Sequence, residues 1–218
     1  MKAKERLLKI SNKLEKKYGK IPWKSHGDPL DLLILTILSQ NTNDVNRDRA
    51  YEALNRKYSS YQQIIDAPLS ELADTIRVGG LNQQKAKRIQ QVLKDIRREQ
   101  GKFSLDYLKK LSRDDALVEL LKHNGVGKKT AGIVLTFSLN KPYFPVDTHI
   151  TRITQRLGLV KKNQDPHDVM NELVPEKLTY QLHMHLITHG RETCKARKPL
   201  CDRCVIREFC PFPKKALH

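Results

Sequence analysis

Residues 120–152 read LLKHNGVGKKTAGIVLTFSLNKPYFPVDTHITR. An amphipathic run (Ala116, Leu117, Leu120, Leu121) stops at Asn124-Gly125, and a second apolar run starts at Thr130 and continues through Ile133, Val134, Leu135 and Phe137. Between them lies Gly125-Val126-Gly127. Two glycines around one small apolar residue let the backbone take positive φ without steric cost. The helix that follows begins with its amides exposed, and the positive end of its dipole makes a seat for an anionic oxygen such as a phosphate. The spacing therefore predicts a helix-hairpin-helix; an ordinary αα-hairpin with a glycine cap fits the turn as well.

Two polar side chains of the same stretch carry possible chemistry. Lys129 falls in the first turn of the second helix, where the dipole disfavours a cation. Asp147 stands where an N-cap belongs, ahead of a helix running through Ile150, Ile153 and Leu157. Taken singly, one is a solvated lysine and the other a capping residue.

The whole chain of 218 residues carries 41 Lys and Arg against 24 Asp and Glu, a formal charge of +17. On a chain this small, such an excess points to a polyanionic partner, nucleic acid first. The positives are dispersed, which predicts a folded binding face rather than a disordered arm. No run of about 18 apolar residues exists, and the charged start has no apolar segment after it, so the expectation is an intracellular protein of the cytosol or nucleoid, without a membrane span. All four cysteines lie in the last twenty-five residues. In an intracellular chain that clustering favours metal ligation over disulfides.

The rest of the chain reads as helices. Residues 5–18 carry Leu7, Leu8, Ile10 (or Ser11) and Leu14 at helical spacing, with lysines opposite. Asp28 is a candidate cap and Pro29 a first helical residue, leading into Leu30–Leu38, apolar nearly all round and so a buried central helix. An amide-rich patch, Ser39 to Asn43, precedes a helix over Asp44–Lys57. A connector over Tyr58–Pro68 and a helix over Ser70–Ile76 follow. Gly79-Gly80 then present Leu81, either as a plain turn or as an apolar wedge of the kind that enters between base steps. The helix Gln83–Gln100 sets Ala86, Ile89, Val92, Leu93 and Ile96 against Lys85, Lys87, Arg88, Lys94 and Arg97, expected as a solvated basic face. A short turn over Ser104–Leu111, a capping box at Ser112, and helices over Pro166–Leu173 and Glu176–Gly190 complete an all-α pattern. His183, His185 and His189 do not share a helix face, so they are expected to pack or to serve the helix end rather than bind metal.

Cys194, Cys201, Cys204 and Cys210 lie within seventeen residues. Four thiolates on such short loops can wrap one metal centre; spacing alone leaves zinc and iron–sulfur open. Lys195, Arg197 and Lys198 sit between the first two cysteines, presented toward phosphate with little entropy left to lose.

The run GVGKKTA, followed eighteen residues after Lys129 by VDTHI, resembles the helix-hairpin-helix and Gly/Pro-Asp signature of the endonuclease III family of DNA glycosylases. The likeness extends from Leu30 to Cys210. It implies an all-α, two-domain fold: a six-helix barrel over 22–134, and a discontinuous second domain from 1–21 and 135–218 with a cluster loop at 194–210. It implies a [4Fe-4S] cluster on Cys194, Cys201, Cys204 and Cys210. The partner implied is double-stranded DNA with a damaged base or an abasic site, bound by a monomer at Gly125, Val126, Gly127, Lys128, Thr130, Lys195, Arg197 and Lys198. Asn41, with Gln40 as the alternative, would fill the gap left by an extruded nucleotide, and Leu81 would be the wedge.

The activity implied is bifunctional: removal of oxidised pyrimidines, then β-elimination at the abasic site. Lys129 would attack C1′ and form a Schiff base, while Asp147 accepts a proton and stabilises the charge at C1′, the 120–152 stretch bringing both to one flipped nucleotide. A free lysine is almost wholly protonated near neutrality, so a nucleophilic Lys129 needs a lowered pKa. A mismatch-specific glycosylase of the same superfamily and a non-catalytic iron–sulfur DNA-binding protein are the rival readings; Lys129 argues against the first, and Lys129 with Asp147 against the second. The chain departs from the family at His123-Asn124, where Leu-Pro is usual, in the Ser39–Asn43 segment, and at Gly132, where the bacterial type has asparagine.

Overall fold

The computed structural model describes residues 2–212, which divide into two compact units, Ser25–Asn140 and residues 2–24 with 141–212. Among the described residues all regular structure is helical, and no helix is long and apolar enough to cross a membrane.

The first unit is built on α2 (Pro29–Leu38), opened by Asp28, whose Oδ1 accepts from the amides of Leu30 and Asp31 at 2.8 and 3.2 Å, and by Pro29 at the first position. Its residues Leu30, Leu33, Ile37 and Leu38 are completely buried. Each such side chain contributes about 1.5–3 kcal/mol over an exposed one, which explains why a helix apolar on every face becomes the axis. Against it lie α3 (Asp44–Lys57), α6 (Asn82–Gln100) and α8 (Lys128–Phe137), with α7 (Arg113–Leu121) beside α8.

Two expectations fail here. The connector over Tyr58–Pro68 contains α4 (Tyr61–Asp66), capped by Ser60 and anchored by the buried Ile64, and is followed by α5 (Leu69–Thr75). Two adjacent isoleucines, Ile64 and Ile65, show no helical period, so the helix is invisible in the pattern. Lys85 does not belong to the solvated face of α6: it is 1% exposed and donates to the carbonyls of Leu38 and Gly79 at 2.7 and 2.8 Å.

The second unit packs α1 (Ala3–Tyr18) and α9 (Thr148–Arg156) on α11 (Thr179–Glu192), with α10 (Pro166–Leu173) on α1. Leu7, Ile10, Leu14, Ile150, Ile153, Leu182 and Leu186 form its core, and Cys194, Cys204, Val205, Phe209 and Cys210 pack against that core. Leu8, expected on the buried face, is 37% exposed; Ser11 takes the buried place one turn before Leu14. The three histidines of α11 are buried. His183 and His185 donate to Pro145 O and Gly19 O, each at 2.9 Å.

Candidate functional site

The hairpin is built by one left-handed glycine. After α7 the backbone turns at Gly125, with φ of 84°, and the Val126 amide donates back to His123 O at 3.1 Å. Gly127 does not take the positive φ expected of it: at φ −95°, ψ 177° it is the extended N-cap of α8. The helical ladder starts where Ala131 N–H donates to Gly127 O at 2.9 Å, so the amides of the first turn stand ahead of it at the positive end of the dipole. Lys129 sits in that first turn, half-buried; Val126 and Thr130 point inward at 5% and 4% exposure, leaving only their backbone for an anion. His123 is 4% exposed, and burial holds its pKa below the usual imidazole range. It is therefore a neutral filler for the space beneath the turn where the family has leucine.

Two further loops join this turn. Gln40, just beyond α2, donates from Nε2 to Gly125 O at 3.1 Å, and its Oε1 accepts from Arg88 Nη1 at 2.6 Å. The Arg88 stem lies on Gly125 so closely that a Cβ there would meet Arg88 Cδ at 2.6 Å. Gln40 is thus spent on tying α2, α6 and the hairpin together. Asn41 is exposed instead, at φ 52°. Across α6, Gly80 at φ 71° and Leu81 at φ 47° turn the chain so that Leu81 is 49% exposed. Among the described residues four non-glycines have positive φ, namely Asn41, Leu81, Asn140 and Lys198. Three of them are candidate DNA contacts, and strained backbone of this kind gathers at functional sites.

In the second unit Asp147 caps α9: its Oδ1 accepts from Ile150 N–H at 2.8 Å. The far half of that helix grips the cysteine loop. Arg152 donates to Cys194 O from Nε and Nη2 at 3.0 and 2.9 Å and to Gly190 O at 3.0 Å. Arg156 donates to Cys194 Sγ at 3.3 Å, Lys195 O at 2.8 Å and Ala196 O at 2.9 Å. Lys195, Arg197 and Lys198 are exposed on the loop so held.

The four cysteines line one pocket, with Arg156 and Arg207 on its wall. Burial raises the Cys204 thiol to about 11, with the other three cysteines adding repulsion, and also raises Cys210. Four such thiolates need a cationic centre among them. Among the described residues no three His, Cys, Asp or Glu side chains are gathered as for a single metal ion. A donor set of four cysteine sulfurs lining one pocket fits an iron–sulfur cluster. His189, which burial holds at about 4 and so neutral, lies with Nε2 at 3.5 Å from Cys204 Sγ and Nδ1 at 3.1 Å from Tyr18 Oη. Protonated at Nε2, it donates to the sulfur and accepts the phenol proton.

Sequence reasoning missed the positioning roles of Arg88, Arg152, Arg156 and His189. Only the fourfold spacing of Arg152 and Arg156, on one side of α9, gave a signal in the sequence.

Residues 34–176 match the HhH-GPD superfamily of base excision DNA repair proteins, and residues 194–210 match the iron–sulfur binding domain of endonuclease III. Endonuclease III of Thermotoga maritima is 36% identical over 190 residues, 86% of this chain and 85% of that protein. Endonuclease III of Sulfolobus acidocaldarius is 36% identical over 185 residues, 83% of this chain and 80% of that one. Among solved structures, a trapped endonuclease III–DNA covalent intermediate superposes with a TM-score of 0.85 at 28% identity, covering 100% of each chain.

Proposed function

The chain belongs to the HhH-GPD superfamily of base excision DNA repair proteins and, within it, to the endonuclease III family, and on that premise we propose that Lys129 is its nucleophile and Asp147 its acidic partner in catalysis. The activity is that of a bifunctional DNA glycosylase and abasic-site lyase, and the cofactor is a [4Fe-4S] cluster held by Cys194, Cys201, Cys204 and Cys210. The partner is duplex DNA carrying an oxidised pyrimidine or an abasic site, engaged by a monomer in the cytosol or nucleoid.

Lys129 Nζ attacks C1′ of the extruded nucleoside and the bond to the base breaks. The ring-opened sugar and the lysine then form a Schiff base, from which loss of a C2′ proton expels the 3′ phosphate. Asp147, whose Oδ1 accepts from the amide of Ile150 at the helix cap, takes the proton that the attacking lysine releases and stabilises the charge that develops at C1′. The first-turn amides of α8 and the loop residues Lys195, Arg197 and Lys198 seat backbone phosphates. When bound, the cluster ties the four cysteines together and so fixes both ends of that loop. Asn41 fills the space left by the nucleotide, and Leu81 wedges the stack; extrusion costs a few kcal/mol, least for a damaged or mispaired base.

The observation that carries the reading is the placement of Lys129: half-buried, in the first turn of a helix that follows a glycine hairpin. Borohydride reduction during reaction with abasic-site DNA should trap a covalent adduct with the wild type and none with Lys129→Gln. An equal adduct from the variant would remove Lys129 from the mechanism.

A further inference from the structure

The two carbonyls that Lys85 Nζ holds occupy matching places in the first unit. Leu38 is the last residue of α2, directly ahead of the Ser39–Asn43 loop; Gly79 ends the 3-10 turn Arg77–Gly79, directly ahead of Gly80-Leu81. Each anchor therefore lies within three residues of a loop tip in left-handed backbone, Asn41 at φ 52° and Leu81 at φ 47°. Such backbone persists only where its surroundings over-determine it. Two further features serve the clamp. A Cβ on Gly79 would meet Ala50 Cβ at 3.2 Å and Lys85 Nζ at 3.9 Å, so the missing side chain lets the turn lie against α3 and the ammonium together. The cation also stands at the C-terminal carbonyl of α2, where the dipole favours it, and α2 has no basic residue in its own last turn.

Stability alone does not account for this lysine. A buried ammonium without a carboxylate beside it is unfavourable, and an apolar residue would fill the same space. Burial by itself pulls the Lys85 pKa down to about 8.

We propose that Lys85 is a positioning residue that locks the Asn41 loop and the Leu81 loop to one point on α6, so that plug and wedge enter the duplex as a single unit. The proposal rests on the reading of Asn41 and Leu81 as the inserting residues.

The test compares wild type with Lys85→Met by borohydride trapping on abasic-site DNA, in duplex and in single-stranded form. A single strand has no opposite base to contact and no duplex stack to wedge, so that arm depends on the Lys129 chemistry alone. Lys85→Met should trap the single strand at the wild-type rate and the duplex roughly 10- to 100-fold more slowly, the range expected when reacting groups are misplaced by about 1 Å. Unchanged trapping in both arms, or equal slowing in both, overturns the proposal and leaves the Lys129 assignment standing. Failure of the wild type in both arms strikes the catalytic reading instead. Should Lys85→Met not fold, as judged by its helical circular dichroism, Lys85→Arg keeps N–H donors and enters the same two arms. It is then expected to slow the duplex arm alone, and equal slowing of both arms overturns the proposal as before.

Discussion

Lys85 and Gln40 are polar side chains that work by being withdrawn from water or from solvent-facing roles. Gln40 spends its amide on Gly125 and Arg88, whereas Asn41, proposed to fill the space left by the nucleotide, is exposed at its left-handed φ. Lys85 spends an ammonium on two carbonyls, and the energetic consequence has a definite sign. Its pKa is about 8 when folded against 10.5 for an ordinary lysine, so between these values the unfolded chain binds more protons than the folded one. Stability then rises with pH across that window. The contribution is complete above pH 10.5 and is lost as pH falls through about 8. A shift of this size corresponds to on the order of 3 kcal/mol. Denaturant midpoints of the wild type should therefore climb from about pH 8 toward pH 10.5 relative to those of Lys85→Met; parallel curves for the two proteins would show that the ammonium is not held at a cost.

Helix α9 is the element on which most of the second unit's polar work converges. Its N-terminus is capped by Asp147, while Arg152 and Arg156 near its other end hold the backbone of the cysteine loop. One rigid helix thus sets the direction of a carboxylate and the path of a basic loop. Its packing on α11 depends on Gly190, where an added Cβ would sit 2.8 Å from His149 Nδ1 and 2.9 Å from His149 Cβ. Gly190→Ala must push α9 away, at a cost of about 1–3 kcal/mol. The expected result is a melting temperature lower by several degrees, together with earlier loss of the visible iron–sulfur absorbance on heating. An unchanged melt would mean that His149 yields without moving the helix.

At the scale of the molecule, the charge of +17 is the dominant fact for association. If six to ten phosphates are neutralised, duplex affinity should fall by about 10³- to 10⁵-fold between 50 and 200 mM salt. A binding titration across that range with an uncleavable abasic-site analogue checks this. A shallow dependence would place most of the charge outside the interface and limit the contacts to the hairpin amides and the cysteine loop.

Local signals in the chain gave most of the elements and the identity of the chemical groups. Asp28-Pro29, the boundaries of α3 and α10, the cap at Asp147, the glycine turn before Lys129 and the four closely spaced cysteines each depend on neighbours within a few residues, so each is written in the order of the chain. The same holds for the all-helical class, because apolar period is a local property. Tertiary structure decided which polar side chains are used up and which remain to act. Lys85 and Arg88 look like members of one solvated stripe, yet Lys85 reaches back 47 residues to Leu38, and Arg88 reaches 48 to Gln40; Arg152 reaches 42 forward to Cys194. Helical periodicity states which face a residue occupies but not what lies opposite it. A buried charge is tolerated only where distant carbonyls converge, and that convergence exists only once the helices have packed.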